Sequence, residues 1–354
     1  MKKTWLTRAA DFERFILTGD AGGTNTSLAL FGNTGRNFTM LLKCDFLTKE
    51  ITSFLDPVGE TLAEAASANP SFVPTVCCVS SAGPVKDNIC RLTNASWAVD
   101  GNAIEERFGF RALAINDFMA LSYGMPLLDV ENPHQITKVP HTDGACPKPA
   151  GERLSVVGAG TGLGTGFLME VGGRYFAVPA EGGHSDFAAF DDETVELLQF
   201  LRPRFGIVPG TEELVSGRGI THIYHFYKGR GMAIRGALAE IDRAPDDKKP
   251  ALISAHVDDS PDCRSIMSLF VRVYARYAAR AALMYMPTRG LFVAGGIVEK
   301  NEGLFLQDHL FMRSFEQNYK ENIREVLKGI PVFIVRDYAT SHYGAANAAY
   351  SLLL

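Results

Sequence analysis

Residues 15–31 read FILTGDAGGTNTSLALF, and residues 154–170 read LSVVGAGTGLGTGFLME. Each segment places an apolar run before a glycine-rich turn and a second strand-like run after it. In the first segment Leu28 and Leu30 alternate with Ala29 onto opposite faces, as a strand requires. Two strand–glycine–strand units about 140 residues apart predict a duplicated architecture, in which two similar lobes each contribute one glycine-rich turn to a shared cleft.

Further along the chain, residues 291–298 (LFVAGGIV) form a third apolar strand that runs into paired glycines. Residues 265–286 repeat apolar side chains at helical spacing and predict a strong amphipathic helix. Arginines recur every four residues on another face of that helix, and we expect this basic stripe to be solvated. Residues 129–153 and 242–250 are rich in proline, glycine and polar residues and predict loops. Mixed strands and helices indicate the α/β class.

Length and composition exclude several classes of protein. The 354 residues exceed one typical domain, so two are expected. The net charge of −5 gives no electrostatic reason to expect nucleic acid or an anionic membrane as partner. The sequence has no apolar run long enough to span a membrane, and its first residues lack the apolar core of a signal peptide. The six cysteines form no C-x-x-C pair, so we expect reduced thiols and a cytoplasmic protein.

The glycine-rich turns have two interpretations, phosphate binding or tight turns alone. Backbone N–H groups converge on a phosphate only where no Cβ obstructs them. The sequence holds neither a Walker-type P-loop nor the G-x-G-x-x-G of a dinucleotide fold. Asp20 stands at a strand end beside the first turn, where its carboxylate would repel a phosphate unless Mg²⁺ or its bound water lay between them. Capping of the turn is an equally good local role for Asp20.

Polar residues in other turns are candidates for acid–base and sugar chemistry. Asn116 and Asp117 follow a short apolar strand, where Asp117 could be a general base or a helix N-cap. Glu181 and His184 flank two glycines, and such a loop can offer acceptors and donors to a polyhydroxylated ligand. Taken alone, His184 is more often a structural histidine. Glu212, near another glycine turn, is more often a surface residue.

Two other kinds of site find no support in the sequence. His222 and His225 are spaced three apart, without an H-E-x-x-H motif or a cysteine companion. A core or surface pair on a helix is therefore the better interpretation of these histidines. Val215-Ser216-Gly217 lacks the first glycine of a nucleophile elbow, which leaves hydrolase chemistry unsupported.

Seven short segments, in order along the chain, closely resemble the bacterial-type glucokinase family of the hexokinase–actin–Hsp70 ATPase superfamily. They are GDAGGTN (19–25), LTNASW (92–97), INDF (115–118), GAGTGLG (158–164), EGGH (181–184), ELVSGRG (213–219) and AGGIV (294–298). The resemblance implies a two-lobed actin-like ATPase fold, ribonuclease H-like, with duplicated βαβ-type lobes around a cleft. Residues 1–127 with 338–354 would form a small lobe completed by the C-terminal helix, and residues 128–337 the large lobe.

The same resemblance implies ATP-dependent phosphorylation of glucose to glucose 6-phosphate, the first step of glycolysis, with Mg²⁺ as cofactor. Asp117 would accept the proton of the sugar 6-hydroxyl. The residues implied to bind the sugar are Asn94, Asn116, Asp117, Glu181, His184 and Glu212. The residues implied to hold the nucleotide are Gly19, Asp20, Ala21, Gly22, Gly23, Thr24, Gly160, Thr161, Gly162, Gly295, Gly296 and Gly344. Asp20 would reach Mg²⁺ through water.

The chain departs from the family's pattern at several points. Extra residues precede the first strand, and Arg218 stands where the family usually has proline. The tail SHYGAANA loosely matches the usual glycine-rich ending, which bears on the contacts to adenine. The family also implies a homodimer. The related repressor and kinase family with a cysteine-rich zinc loop is disfavoured, because these cysteines cannot form that loop.

Three alternatives stay open on sequence alone. A kinase for another hexose, such as mannose or N-acetylmannosamine, would have similar motifs. A sugar-sensing regulator of the same fold would need a DNA-binding domain, for which the residues before the first strand are too few. An actin- or chaperone-like ATPase would hydrolyse ATP without a sugar.

Overall fold

The computed structural model describes residues 1–92, 95–336 and 340–354, without the side chains of Pro179 and Thr340. Within those residues strands and helices are interspersed, as the sequence predicts. The strands are β1 Lys2–Trp5, β2 Arg14–Ala21, β3 Asn25–Thr34, β4 Asn37–Leu47, β5 Pro74–Ser81, β6 Val85–Lys86, β7 Ile89–Arg91, β8 Ala98–Asp100, β9 Arg111–Asn116, β10 Ile136–Lys138, β11 Arg153–Ala159, β12 Leu163–Val171, β13 Arg174–Ala180, β14 Gly290–Ala294 and β15 Val332–Val335. The helices are α1 Leu55–Ala68, α2 Gly101–Phe108, α3 Asp117–Gly124, α4 Asp192–Phe205, α5 Gly217–Gly229, α6 Ala237–Arg243, α7 Lys249–Ala255, α8 Pro261–Tyr285, α9 Gly296–Lys300, α10 Glu302–Leu306, α11 Leu310–Phe315, α12 Glu321–Lys328 and α13 Thr340–Leu353.

The first large sheet has the strand order β1-β4-β3-β2-β5-β9. Strands β2 and β3 form an antiparallel hairpin, which is the strand–turn–strand unit that the sequence predicts. Strands β5 and β9 then continue parallel to β2. The register pairs Asp20 with Ser80 and Ser81 with Asn116, so the ends of β2 and β9 lie at the same edge of this sheet.

The second large sheet has the strand order β10-β15-β14-β11-β12-β13. Strands β11, β14 and β15 run parallel, and Gly158 of β11 pairs with Ala294 of β14. Consequently the turn after β11 and the paired glycines after β14 leave the sheet side by side. Parallel strands buried on both faces read as apolar runs, and β14 is buried along its whole length.

Packing divides the chain into two compact units. The first consists of Met1–Leu128, Leu168–Ala177 and Asp337–Leu354, and the second of Asp129–Phe167 and Val178–Arg336. In the first unit Arg36 donates a hydrogen bond to Glu170 at 2.8 Å. The main-chain N–H of Tyr175 donates to the Ser351 hydroxyl at 3.2 Å. These contacts explain why residues 168–177 pack in the first unit, whereas the sequence assigned them to the large lobe.

Helix α8 runs through the core of the second unit and corrects one expectation. Its arginine stripe is not a solvated face. Arg272 donates to Glu193 at 2.7 Å, and Arg276 and Arg280 donate to main-chain carbonyls of neighbouring segments. Burial lowers the pKa of both Arg276 and Arg280. The stripe therefore fixes surrounding loops onto the helix instead of facing water.

The structure also bears on one predicted loop, on the C-terminal helix and on the cysteines. Helices α6 and α7 enter the segment 242–250 from either end, so only residues 244–248 of this predicted loop lie between the helices. The C-terminal residues form the tightly packed helix α13, as predicted, and it lies in the first unit. All six cysteines are free thiols, and only Cys146 is exposed. Among the described residues, no helix combines the length and apolarity that crossing a membrane requires.

Candidate functional site

In the first unit, the turn between β2 and β3 places Asp20 beside a tight glycine bend. The Gly22 N–H donates to the Asn25 carbonyl at 3.0 Å, and the Thr48 hydroxyl donates to the Gly22 carbonyl at 2.8 Å. The Asp20 carboxylate accepts the Ser80 hydroxyl at 3.2 Å. No turn N–H of the described residues bonds to Asp20, so the turn is held by other groups and the carboxylate is not its cap.

From the sequence, Asp117 could be a general base or a helix N-cap, and in the structure its neighbour Asn116 is the cap. Asn116 is the N-cap of α3, and its side-chain oxygen accepts the Met119 N–H at 2.7 Å. Asp117 is the first helical residue, and its carboxylate accepts the Phe118 N–H at 2.8 Å. The N-cap interpretation of Asp117 is therefore wrong, because Asn116 already fills that position. Asp117 is exposed as a residue, although its carboxylate has lost part of its hydration.

The electrostatics of Asp117 reflect its surroundings. Partial loss of hydration raises the pKa of Asp117 above its ordinary value, and the negative charge of Asp20 raises it further. The Phe118 N–H hydrogen bond lowers the same pKa and opposes both effects. No lysine or arginine of the described residues forms an ion pair with Asp20 or Asp117. The edge of the first sheet thus carries two carboxylates whose charge the described residues leave uncompensated.

In the second unit, a pocket of about 1080 Å³ opens beside the other glycine-rich turn. That turn is closed by the Gly160 N–H, which donates to the Gly162 carbonyl at 2.9 Å. The pocket is lined by Gly160, Thr161, Arg204, Gly217, Arg218, Ile220, Thr221, His222, His225, Asp246, Asp247, Pro250, Ala251, Ser254, Ala255, Gly296, Ile297, Lys300 and Asn301. It therefore brings together the turns after β11 and β14, as the parallel pairing of those strands requires.

The glycines of these turns differ in the space that a side chain would find there. A Cβ on Gly160 or Gly296 would meet no heavy atom within 4 Å, so both positions leave open space. A Cβ on Gly162 would lie 2.6 Å from the Glu212 carboxylate. Gly295 has φ of +107°, and a Cβ there would lie 2.1 Å from the Ala159 carbonyl. Packing behind the turn thus requires Gly295, whereas a side chain at Gly162 would have to displace the Glu212 carboxylate.

Glu212 is held against the same turn. One carboxylate oxygen accepts the Leu163 N–H at 3.0 Å, and the other accepts from Arg218 at 2.8 Å. Glu181 and His184 lie on an exposed loop, with 3.8 Å between the His184 Nε2 and a Glu181 carboxylate oxygen. No hydrogen bond of the described residues links this loop pair to Glu212.

Sequence reasoning missed one wall of the pocket. His222 and His225 are neither core nor plain surface residues, because both line the pocket from α5. The His222 Nδ1 lies 2.8 Å from the Glu213 carbonyl, and the His225 Nε2 lies 3.2 Å from the Asp246 carboxylate. The amphipathic run GITHIYHFY signals a helix here. Nothing local signals that its polar face meets α7.

Three predicted site residues lie outside the described residues or at packing positions. Asn94 lies outside the described residues. Gly344 does not line the pocket, since it is buried in α13, where a Cβ would lie 1.9 Å from the Ala120 carbonyl of α3. Gly19 is likewise a packing position, because a Cβ would lie 2.8 Å from Val79. Among the described residues no group of three or more potential metal ligands occurs.

Comparison with known proteins extends over nearly the whole chain. The sequence profile of the family described as Glucokinase matches residues 17–352. Glucokinase of Nostoc punctiforme is 31% identical, with 95% of this chain and 99% of the relative aligned. Glucokinase of Shigella flexneri is 32% identical over 92% of this chain and 94% of the relative. The crystal structure of glucokinase from an Antarctic psychrotroph superposes with a TM-score of 0.78 at 27% identity, covering 95% of this chain and 99% of that one.

Proposed function

The chain belongs to the glucokinase family, and on that premise we propose how its residues phosphorylate glucose. The enzyme transfers a phosphoryl group from ATP to glucose. The names of the relatives favour glucose over the other hexoses, and kinase activity over a regulator or a sugar-independent ATPase. The observation that carries the assignment of residues is that Asn116 occupies the N-cap of α3, so the Asp117 carboxylate is not needed as the cap.

Asp117 is the general base in this proposal. It accepts the proton of the sugar 6-hydroxyl as the oxygen attacks the γ-phosphorus of ATP, and ADP departs with the bridging oxygen. Phosphoryl transfer depends mainly on positioning and charge neutralisation, so one carboxylate suffices as base. A raised pKa makes this carboxylate a better proton acceptor than an ordinary aspartate. Asn116 binds the sugar through the amide nitrogen that its cap hydrogen bond leaves free.

The residues around Asp20 fit a Mg²⁺ ion. Two carboxylates that form no ion pair with a lysine or arginine of the described residues favour a cation, and one Asp20 oxygen remains beyond its bond to Ser80. Mg²⁺ keeps most of its water and usually takes only one or two carboxylates plus substrate phosphates. When bound, it neutralises charge on the phosphates of ATP. Asp20 would hold it through water, which needs no cluster of protein ligands.

The pocket of the second unit is the proposed nucleotide site. Thr161 offers its main-chain N–H group to the phosphates, and Gly160 and Gly296 offer an unobstructed backbone. In the first unit Gly22, Gly23 and Thr24, with Gly19 and Ala21 before them, form the second phosphate-binding turn. The α5–α7 wall takes the adenosine. Gly344 supports α13 and contacts no nucleotide in this proposal.

Glu181, His184 and Glu212 are proposed to bind sugar hydroxyls, and Asn94 to approach the sugar. We predict that Glu181→Gln and Glu212→Gln each raise the KM for glucose more than the KM for ATP. A charge-assisted hydrogen bond contributes roughly 1.5–3 kcal/mol, so the KM for glucose should rise about 10-fold or more. A coupled assay of ADP release over a panel of hexoses measures both constants. Wild-type values for glucose in both variants would remove these residues from the sugar site.

The same assay tests the function itself. Purified protein with ATP and glucose should release ADP, and little ADP should appear without a sugar. ADP and polyphosphate as alternative donors, and mannose and N-acetylmannosamine as alternative acceptors, should react more slowly. Equal ADP release with and without glucose would overturn the kinase function.

We also propose a homodimer in the cytoplasm. Strand β13 lies at an edge of the second sheet, and its Phe176 and Val178 are 39% and 50% exposed. The Tyr175 and Ala177 N–H groups of β13 already donate to the Ser351 and Tyr123 hydroxyls, so a second chain would contact the exposed apolar side chains and not extend the sheet. The free cysteines, including the adjacent buried pair Cys77 and Cys78, suit a reducing compartment. Light scattering on the purified protein measures the mass, and a monomer at micromolar concentration would contradict the dimer.

A further inference from the structure

Arg218 occupies the junction between the nucleotide pocket and a sugar-binding carboxylate. It is the second residue of α5, whose N-cap Ser216 accepts the Gly219 N–H at 3.2 Å. The Gly217 N–H donates to the Gly160 carbonyl at 2.9 Å, which ties the start of α5 to the glycine turn. Arg218 is therefore fixed at its backbone beside the turn proposed to hold phosphates.

The side chain of Arg218 can exchange partners. Its guanidinium lies 2.8 Å from Glu212 and 3.4 Å from Glu213, and the side chain is 57% exposed. Ion pairs this exposed contribute little to stability. The same side chain lines the pocket together with Gly160 and Thr161. A polyanion in the pocket would compete directly with the carboxylates for the guanidinium.

Such an exchange would free one carboxylate oxygen of Glu212. One of its oxygens is fixed by the Leu163 N–H, so the carboxylate stays in place when Arg218 leaves. The oxygen that now accepts from Arg218 would become available to a sugar hydroxyl. The pair thus connects the occupancy of the nucleotide pocket with the state of the sugar-binding carboxylate.

We propose that Arg218 binds the terminal phosphates of ATP and thereby releases Glu212 for the sugar. This inference rests on the proposed function, which places ATP in the pocket and glucose at Glu212. A guanidinium matches two phosphate oxygens in its planar fork, and charge-assisted bonds of this kind are the stronger ones. Arg218 is then both a phosphate ligand and a positioning residue for Glu212.

Binding of AMP and of a non-hydrolysable ATP analogue, measured by calorimetry, tests the phosphate contact. In Arg218→Gln the Kd of the ATP analogue should rise about 10-fold or more, since charge-assisted bonds are lost. The Kd of AMP, which lacks the terminal phosphates, should stay within about twofold, and Arg218→Lys should fall between. An equal change for both nucleotides, or none, overturns the contact.

Glucose binding without turnover tests the release of Glu212. In the wild-type protein the ATP analogue should tighten glucose binding, by up to about fivefold for an exposed ion pair. In Arg218→Gln glucose should bind tightly even without the ATP analogue, and adding the analogue should not tighten glucose binding further. Wild-type coupling in this variant overturns the positioning role.

Arg230→Gln is the matched control. Arg230 stands at the other end of α5 and also pairs with carboxylates, Glu193 and Glu196, but it does not line the nucleotide pocket. Its nucleotide and glucose affinities should equal those of the wild type. If the wild-type enzyme is active and the Arg218 variants bind nucleotides and glucose as the wild type does, this inference alone is refuted. A wild type without glucose-dependent ADP release refutes the proposed function.

Discussion

The neighbours Asn116 and Asp117 show how two adjacent polar residues take different tasks. The side-chain oxygen of Asn116 accepts the Met119 N–H and completes the start of α3. Within the described part of the chain, the Asp117 carboxylate accepts only the Phe118 N–H, so it is left for chemistry. An acid at the first helical turn is also favoured by the helix dipole, which tends to keep it ionised.

Asp117→Asn should separate catalysis from stability. The amide keeps the size of the side chain but cannot accept the proton, so kcat should fall about 10²–10⁴-fold. The free energy of unfolding should change little, because Asn116 still caps α3. Steady-state kinetics and thermal unfolding of the same preparation measure both quantities.

Asp100→Ala is the control for a lost cap. The Asp100 carboxylate accepts from Asn102 and Ala103 at the start of α2. This variant should lose about 1 kcal/mol of stability and keep a normal kcat. A kcat of Asp117→Asn within about threefold of the wild type, far short of the loss expected for a general base, would exclude Asp117 as the base.

At the scale of elements, the strand–glycine–strand units were predictable because each signal is local. Apolar alternation defines β2 and β3, and glycine marks the bend between them. The reasons for individual glycines were not local. Sequence assigns Gly162 to a phosphate, whereas its Cβ would meet Glu212, a residue fifty positions away whose approach no local pattern encodes. For the same reason the contact between Gly344 and Ala120 could not be foreseen.

Gly162→Ala and Gly160→Ala form a matched pair. The added methyl at Gly162 must displace the Glu212 carboxylate, which would weaken its bond to Leu163. We therefore expect Gly162→Ala to raise the KM for glucose at least as much as the KM for ATP. The methyl added in Gly160→Ala meets no heavy atom within 4 Å, so in this variant only the KM for ATP should rise. Kinetics with each substrate varied in turn, together with thermal unfolding, distinguish the two.

The pair also has a clear negative outcome. If Gly162→Ala raises only the KM for ATP, as Gly160→Ala does, then displacement of Glu212 has no consequence for the sugar. Both variants should remain folded, because each turn keeps the φ angles that non-glycine residues adopt. A loss of folding in Gly160→Ala alone would contradict the open space seen at that position.

For the whole molecule, the order of motifs indicated the fold class, but the packing of distant segments came only from the structure. The predicted boundary near residue 128 lies close to the division seen, since it follows the end of α3. The placement of 168–177 could not be predicted, because its contacts reach Arg36 and Ser351 far along the chain. The extra N-terminal residues form β1, which pairs with β4 and extends the first sheet.

Helix α13 is joined to the β2–β3 hairpin through a buried histidine. The His342 Nδ1 lies 2.9 Å from the Thr18 hydroxyl, and its Nε2 lies 2.8 Å from the Ser27 hydroxyl. The Thr18 hydroxyl donates to the Ala29 carbonyl, so it accepts from Nδ1–H and leaves Nε2 to accept from Ser27. Burial lowers the pKa of His342 to about 4, although the charge of Asp20 raises it in part. The folded protein therefore holds this imidazole neutral.

This histidine should give the first unit a specific acid sensitivity. Between about pH 6.5, where an unfolded histidine titrates, and about pH 4, the unfolded chain binds a proton that the folded chain excludes. Stability is therefore full above that window and falls as the pH drops through it, by at most roughly 3 kcal/mol. In His342→Gln this part of the slope should disappear. Denaturant unfolding of the wild type and the variant across the window measures the difference, with the exposed His134→Gln as control. A difference in unfolding free energy between wild type and His342→Gln that stays constant with pH would show that His342 does not carry the acid sensitivity.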